Sequence, residues 1–457
     1  MTEPSRDDAA PPAETPALGP RHKWDRLLAP ALGSLRDAHV HLAQHGSELA
    51  AVRLEAAHSI DECLGLVASA AMDLPADAWV VARGARVESW VERRYPSAAQ
   101  LEEAGGGRPV LVASFDHHAG AVSTTALARI GLSRGADDPE GGLIERDDRG
   151  EPTGVLLEAA FKLALAAMPE PTEDDVRRWL RAGARDFAAR GFAEVHDMMI
   201  APVHVRLLGE MDRAGELPAR VRGYATPQVF EPVRDAFADL GQSERVAFGG
   251  LKLFVDGTLN SRTAFMLEPY AEPIASHPRG TPLLSEETIA GWFDRAGNEG
   301  FDVAAHAIGD AAVRRLLDVY ERAASGADPR FSLRIEHAEF VDEEDVPRFA
   351  ALSRGGRRVI ASPQPCHLLA DIEAIGRLTP GRAHRAFPLR DLADAAGAAG
   401  FRPADLVWLG SDAPVVPPEP RDNLQAAVHR CRAEPACPHI AEDQSIGPAT
   451  ALSMMTA

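Results

Sequence analysis

The chain has 457 residues, enough for one large catalytic domain with additions or for two to three domains of ordinary size. Its 68 acidic residues outnumber the 48 basic ones, and the resulting charge of −20 argues against nucleic acid and anionic membrane surfaces as partners. Four scattered cysteines are too few for a disulfide framework, and no apolar run approaches the length of a membrane span. These features predict a globular, cytoplasmic protein.

The order of the predicted elements indicates an α/β fold. Residues 1–22 are rich in proline, alanine and acidic residues, which predicts a disordered leader. After it, short apolar runs alternate with stretches of helical period, as in βα units around a parallel sheet. Predicted strands cover 35–42, 192–198, 220–225, 251–256, 301–306, 332–337, 358–362 and 406–412. Predicted helices between the later strands cover 286–298, 311–323 and 343–352.

The stretch 51–175 does not fit a single βα unit. It contains two more strand-like runs, 78–81 and 109–115, and a polar segment at 141–154 that predicts a loop. We therefore predict a (β/α)8 TIM barrel formed by residues 23–50 and 176–457. Residues 51–175 would be an insertion after the first strand that contributes to the substrate pocket. The eight strands outside this stretch place reactive side chains at or beside their C-terminal ends, where barrel enzymes carry their catalytic residues.

The first predicted strand reads Asp37-Ala38-His39-Val40-His41, so that both histidines share one face. A lone buried histidine is more often a satisfied core residue, whereas a His-x-His pair closing a strand is equally consistent with a metal site. Three later strands also end in ligand-type residues, namely His306, His337 and Asp412. Convergence of four such endings on one barrel face favours metal binding.

Lys252 lies in the apolar run Leu-Lys-Leu-Phe-Val-Asp at 251–256, although only three of the 48 basic residues are lysines. A snorkelling side chain at the barrel rim is the alternative explanation. Burial lowers the pKa of an amine and frees it for chemistry that a guanidinium cannot perform. Such an amine can take up carbon dioxide and become a carbamate, an anionic ligand able to bridge two cations. The lysine therefore predicts two metal ions rather than one.

Taken in order, these residues resemble the binuclear ligand set of the amidohydrolase superfamily: His39, His41, Lys252, His306, His337 and Asp412. The surrounding strings are similar to the family-3 amidohydrolases, the branch that contains N-substituted formamide deformylases, over residues 37–452. They are LKLFVDGTLNSRTAF at 251–265, VAAHAIGDAAV at 303–313, RIEHAEF at 334–340 and GSDAP at 410–414. The accessory β-sandwich of this family is expected to be missing or reduced here, and a homodimer would cap the flank left exposed.

The resemblance implies a ligand arrangement and a reaction. His39, His41 and Asp412 would hold one divalent ion, His306 and His337 the other, and carboxylated Lys252 would bridge them. Zinc is the first choice for this ligand set, and iron, manganese or cobalt also fit. The implied reaction is hydrolysis of a non-peptide C–N bond in a small amide, formamide or cyclic amide by a metal-activated hydroxide. Asp412 would act as general base and then as general acid.

Substrate contacts are less clearly encoded. The polar candidates are His118, Asp256, Arg262 and Asp310, each with an ordinary structural or surface role as the alternative. Cys366-His367 also looks like a ligand pair, but the flanking Pro363 and Pro365 predict a rigid loop there.

Two other functions stay open on the sequence. A mononuclear nucleobase-type deaminase uses His-x-His, a third histidine and an aspartate around one zinc, and Lys252 argues against it. A non-catalytic scaffold with a vestigial metal site is the second alternative. The presence of all six ligand-type residues argues against the scaffold, because a drifting site tends to lose ligands first.

Overall fold

The computed structural model describes residues 24–54, 56–114, 119–139, 141–323, 330–433 and 437–456. The predicted leader at 1–22 and the candidate substrate residue His118 lie outside the described residues. The strands are, in chain order, β1 (Leu35–Val40), β2 (Val52–Arg53), β3 (Val80–Ala85), β4 (Val110–Ser114), β5 (Ala119–Val122), β6 (Gly142–Arg146), β7 (Pro152–Glu158), β8 (Phe192–Asp197), β9 (Arg220–Ala225), β10 (Val246–Phe254), β11 (Asp302–Ala307), β12 (Leu333–His337) and β13 (Val359–Ser362). The helices are α1 (Asp25–Leu28), α2 (Leu42–Ala50), α3 (Ile60–Met72), α4 (Ala98–Ala104), α5 (Thr124–Ile130), α6 (Ala159–Ala166), α7 (Glu173–Ala189), α8 (Pro202–Arg213), α9 (Phe230–Leu240), α10 (Glu286–Glu299), α11 (Asp310–Ala323), α12 (Val346–Ala351), α13 (Pro365–Leu378), α14 (Leu389–Ala398), α15 (Pro403–Leu406), α16 (Pro420–His429) and α17 (Pro448–Met454).

Two compact units make up the chain. The first combines Met1–His41 with Phe187–Ala457, and the second is Leu42–Asp186. The predicted insertion at 51–175 falls within the second unit. In the described part of the chain, no helix is both long and apolar enough to cross a bilayer.

The first unit is an α/β fold around a curled parallel sheet in the order β1-β8-β9-β10-β11-β12-β13. Buried strands such as β11, which reads Asp-Val-Ala-Ala-His-Ala, explain why the sequence shows apolar runs rather than alternation. The crossover helices have clear local signals. In α10 the Ser285 hydroxyl accepts a hydrogen bond from the Thr288 amide, and Gly300 ends the helix with a φ of +77°.

The structure differs from the predicted strand over 406–412. Residue 406 ends helix α15, and the segment 407–413 forms two isolated parallel bridges, Ala361 with Val407 and Val40 with Ala413. Its backbone is hydrogen-bonded on both sides, because the Trp408 amide donates to the Ala361 carbonyl at 2.9 Å and the Asp412 amide donates to the His39 carbonyl at 2.7 Å. The segment therefore contacts both β13 and β1.

The second unit contains a six-stranded mixed sheet in the order β2-β3-β4-β5-β7-β6. Strand β4 is buried on both faces, and its alternate residues serve two clusters. Val110 and Val112 pack with residues of α3, while Leu111 and Ala113 pack with residues of α5 and α6. The period-two alternation of this apolar strand thus supplies both layers of the unit.

The prediction of a loop at 141–154 was wrong, because this stretch contributes to the antiparallel hairpin of β6 and β7. Its turn residues explain the error. Asp147 Oδ1 accepts hydrogen bonds from the amides of Arg149 and Glu151, both at 2.9 Å, and Gly150 has a φ of +79°. The polar string Asp-Asp-Arg-Gly is therefore the tight turn of a hairpin rather than a sign of a long loop.

A glycine in β10 sets the register beside Lys252. Gly250 has a φ of +139°, lies at a register shift between β9 and β10, and its added Cβ would overlap the Asp302 carbonyl oxygen. We expect Gly250→Ala to lower the free energy of unfolding by about 2–4 kcal/mol, because both backbone strain and overlap oppose the side chain. Urea denaturation measures this change.

Gly291→Ala in α10 is the matched control, because open space surrounds its Cβ position. There we expect an increase of up to about 1 kcal/mol from the higher helix propensity of alanine. Equal effects of the two substitutions would contradict the assigned role of Gly250.

Candidate metal centre

The side chains predicted to bind metal lie toward the carboxyl ends of the parallel strands in the first unit, where ligand sites of parallel α/β sheets usually lie. They are His39 in β1, His41 just after it, Lys252 in β10, His306 in β11, His337 at the end of β12 and Asp412 in the segment 407–413. All are buried except His41, which is mostly covered. Residues separated by more than 300 positions in the chain therefore meet within one site.

His39, His41 and Asp412 form a compact group that offers three ligand atoms. Asp412 Oδ1 lies 3.0 Å from His41 Nε2 and 3.4 Å from His39 Nε2. Burial alone raises the pKa of the Asp412 carboxyl, but the neighbouring imidazoles, His39 first, outweigh burial and leave the pKa well below its usual range. The group thus combines an ionised carboxylate with two imidazole nitrogens, a donor set that suits zinc.

The other two predicted histidine ligands extend this group into a continuous cluster of rings. The ring centroids of His306 and His337 are 4.4 Å apart, and those of His39 and His337 are 4.9 Å apart. Burial lowers the pKa of His306 to about 4 and holds those of His39 and His337 well below the usual value. These imidazoles are therefore neutral at physiological pH, which is the form that binds metal ions.

Hydrogen bonds assign which ring nitrogen is free to bind an ion. His39 Nδ1 lies 2.7 Å from Glu336 Oε2, and His306 Nε2 lies 3.0 Å from the Gly257 carbonyl oxygen. Both oxygens can only accept, so each of these nitrogens carries the proton. The lone pair then resides on His39 Nε2, which faces Asp412, and on His306 Nδ1.

Lys252 is 0% exposed, and its Nζ has no hydrogen-bond partner among the described residues. Burial lowers the pKa of the amine to about 8, while the charges of Glu336 and Asp412 act in the opposite direction. Buried polar groups are normally hydrogen-bonded, so a buried amine without a hydrogen bond near these ligand-type residues requires an explanation. A partner group that the protein chain does not itself provide is the simplest one.

An internal ion pair that the sequence analysis missed supports His39. Arg334 Nη2 lies 3.0 Å from Glu336 Oε1 and donates to the Ala38 carbonyl at 2.6 Å. Arg334 Nη1 also contacts His196 Nδ1 at 2.7 Å and the Tyr224 hydroxyl at 3.0 Å. The available signal was the alternation in Leu-Arg-Ile-Glu-His, which places both charged side chains on one face of a buried strand.

Left-handed backbone conformations occur at two of the ligand positions. His337 has a φ of +70°, the next residue, Ala338, has +42°, and Asp412 has +60°. Such conformations in non-glycine residues cost about 1–3 kcal/mol each and cluster at functional sites. At His337 the change breaks the strand alternation, which is how the consecutive residues Glu336 and His337 both reach the cluster.

Two of the predicted substrate contacts are committed to the protein backbone. The Asp256 carboxylate accepts hydrogen bonds from the amides of Phe265 (2.8 Å), Ile308 (3.0 Å) and Gly309 (2.8 Å). Asp310 Oδ1 accepts from the amides of Leu267 at 2.7 Å and Ala311 at 3.0 Å. Both aspartates therefore tie the loop after β10 to the start of α11, which leaves little capacity for a substrate.

Arg262 is only partly buried, has a φ of +56°, and its Nη1 lies 3.4 Å from the Glu272 carbonyl oxygen. Its role in substrate binding stays a prediction.

The Cys366-His367 pair lies on a helix and not on the rigid loop that we predicted. Pro365 is the first residue of α13, a position where the missing amide hydrogen of proline costs nothing. His367 is buried, and its Nε2 lies 3.2 Å from the Ser411 carbonyl oxygen and 4.0 Å from Asp412 Oδ2. His367 therefore belongs to the same cluster as the predicted ligands.

The fold and this cluster define a metal-dependent hydrolase of the α/β class. The crystal structure of an uncharacterized metal-dependent hydrolase from Pyrococcus furiosus is 25% identical to this chain with a TM-score of 0.71. The match covers 93% of this chain and 80% of that chain.

Sequence comparison gives the family. The sequence profile of the amidohydrolase family matches residues 25–457. Protein YtcJ of Bacillus subtilis (strain 168), which is named as an amidohydrolase, is 30% identical over 404 residues, 86% of this chain and 72% of YtcJ. The N-substituted formamide deformylase of Arthrobacter pascens is 27% identical over 387 residues, 81% of this chain and 68% of the deformylase. The chain belongs to family 3 of the amidohydrolase superfamily, which confirms the predicted resemblance.

We expect Glu336→Gln to weaken metal binding by about tenfold or more, because the substitution removes the negative charge that raises the basicity of the His39 ring. The glutamine oxygen can still accept the hydrogen bond from His39 Nδ1. Competition with a chromophoric chelator measures the dissociation constant. Glu343→Gln, a change at an exposed carboxylate, is the matched control. Equal affinities of the two variants would contradict the supporting role of Glu336.

Proposed function

We propose that the protein hydrolyses a carbon–nitrogen bond in a small amide, formamide or cyclic amide with the help of two divalent metal ions. The observation that carries this proposal is the fully buried amine of Lys252, which has no hydrogen bond to any described residue and lies near the imidazoles and Asp412. Neither a mononuclear deaminase nor a vestigial scaffold has a use for that amine. The name of the deformylase relative, an enzyme of N-substituted formamides, supports the substrate class.

The donor set fits a pair of ions. His39, His41 and Asp412 would hold one, and His306 and His337 would hold the other. Lys252 would bridge them after its neutral amine attacks carbon dioxide, forms the N–C bond of a carbamate and releases one proton. This reaction gives the buried nitrogen a partner and turns a potential cation into an anionic oxygen ligand. Zinc is our first choice, and iron, manganese or cobalt also suit these ligands.

When bound, such a pair of ions supplies Lewis-acid polarisation of the scissile carbonyl and lowers the pKa of a water molecule. The protein side chains supply the remaining steps. Asp412 accepts the proton of the attacking water and delivers it to the leaving nitrogen, acting first as general base and then as general acid. Glu336, itself oriented by Arg334, keeps the proton of His39 on Nδ1 and so directs Nε2 toward Asp412.

We also propose that the segment 407–413 acts as the eighth strand of a closed (β/α)8 barrel. Its backbone hydrogen bonds to both β13 and β1 support this assignment, because they link the two edges of the parallel sheet. Closure explains why Asp412 reaches His39 and His41, although it follows the last regular strand by 50 residues.

We expect Lys252→Met to reduce kcat at least about 100-fold, because the bridging ligand is lost. The free energy of unfolding should stay the same or rise, since methionine fills a similar volume without a buried polar nitrogen. Turnover of N-formyl, N-acyl and cyclic amides with added zinc, manganese or cobalt measures the first effect, and urea denaturation the second. Full activity of the variant with one tightly held ion per chain would instead favour a mononuclear deaminase.

We expect Asp412→Asn to lower kcat by about 10²- to 10⁴-fold, because the amide cannot accept the proton of the attacking water. The same amide panel measures this loss, and metal analysis of the variant shows whether the ions remain. Asp235→Asn, at an exposed position of α9, is the control and should leave turnover unchanged. Unchanged turnover of every amide in Asp412→Asn with metal retained would contradict the hydrolase proposal.

A further inference from the structure

A second group of buried ligand-type side chains lies next to the predicted metal pair. His337, Glu339 and His367 each offer one ligand atom, and these three atoms lie within 4.8 Å of one another. They are only 4%, 2% and 7% exposed, respectively. Glu339 and His367 have no part in the ligand set that the family resemblance implies, so their presence at this depth calls for its own explanation.

The spacing within this group is wider than that of a direct hydrogen bond. His367 Nδ1 lies 3.7 Å from Glu339 Oε1, whereas a charge-assisted N–H···O bond closes to about 2.7–2.9 Å. Two donor atoms that each lie about 2.0–2.2 Å from one zinc ion are separated by roughly 3–4 Å. The distances from Asp412 Oδ1 to the two imidazoles of the first group, 3.0 and 3.4 Å, fall in the same range.

Two atoms of the group lack partners. His337 Nδ1 and Glu339 Oε2 are buried and have no hydrogen bond among the described residues. Each such orphan costs free energy, and native proteins keep them rare. A divalent cation can bind the lone pairs of an imidazole nitrogen and of carboxylate oxygens at the same time.

We propose that His337, Glu339 and His367 form an additional seat for a divalent transition-metal ion, an inference that rests on the metal-dependent function proposed above. Two histidines and one glutamate make a three-ligand zinc site with an open coordination position. A neutral imidazole has one lone pair, so His337 serves either this seat or the neighbouring position with His306. Occupation of the two positions is therefore mutually exclusive, and the seat holds the second ion when Lys252 is not carboxylated.

The Lys252→Met background tests this seat, because the carbamate bridge cannot form there. We expect full-chain Lys252→Met to bind two zinc ions per chain, one at His39, His41 and Asp412 and one at the seat. Addition of Glu339→Gln should weaken the second ion at least about tenfold, whereas addition of Glu343→Gln, an exposed carboxylate, should not. Chelator competition with zinc measures both affinities, and thermal melting checks that each variant folds.

Anomalous diffraction at the zinc edge locates the ions. A peak between Glu339 and His367 in zinc-loaded Lys252→Met crystals supports the proposal. A single ion at His39, His41 and Asp412, with His367 and Glu339 in a direct ion pair, overturns the seat alone. Equal second-ion affinities in the two double variants also overturn it. Failure of the wild-type protein to bind metal at any of these residues would overturn the proposed function as well, so the two failures are distinguishable.

Discussion

The balance of charge inside the first unit is the constraint on which the site depends. Several imidazoles, the Lys252 amine, the Arg334 guanidinium and several carboxylates are buried in this unit, where ions are poorly solvated. Burial shifts the pKa of Lys252 down to about 8 and that of Asp37, a neighbour of Ser411, up to about 7. Both shifts follow from burial, which disfavours uncompensated charge, and the internal pair of Arg334 and Glu336 offsets part of this cost.

The parallel sheet brings residues that are far apart in the chain close together. Each strand ends on the same edge, so a ligand needs only to occupy the last residues of its strand to meet the others. Where the strand geometry would turn a side chain away, the backbone leaves the extended conformation, as at His337 and Asp412. Local strain at these two residues is thus compensated by the packing of the whole sheet around them.

The sequence predicted the family, most strands of the first unit and the six clustered side chains, because each depends on local features. Apolar runs indicate buried strands, and isolated histidines at their ends stand out. Glu336 and Arg334 were not assigned, since the contact of Glu336 with His39 is visible only once β1 and β12 are brought together by the fold. His367 was placed on a loop because two prolines suggested one, although a proline is also favourable in the first turn of a helix.

The hairpin of β6 and β7 is a second case in which contacts between distant residues, rather than local sequence, define the structure. Its strands are partly exposed and carry polar residues, so no continuous apolar run marks them, and pairing with neighbouring strands identifies them. Asp256 and Asp310 were named as polar candidates for substrate contact, whereas three-dimensional contacts assign their oxygens to backbone amides. Sequence position therefore predicted which residues are near the site better than it predicted what they do.

The two aspartates that fasten the loop after β10 to α11 bear on attempts to engineer this loop. A combinatorial library over residues 258–264 can vary the side chains while the anchor points at Phe265 and Leu267 stay fixed by Asp256 and Asp310. Grafting the corresponding loop from a relative would need to carry a carboxylate at the position of Asp256 and to retain Asp310 in α11. Otherwise the transplanted segment would lose its attachment to the strand end that bears His306.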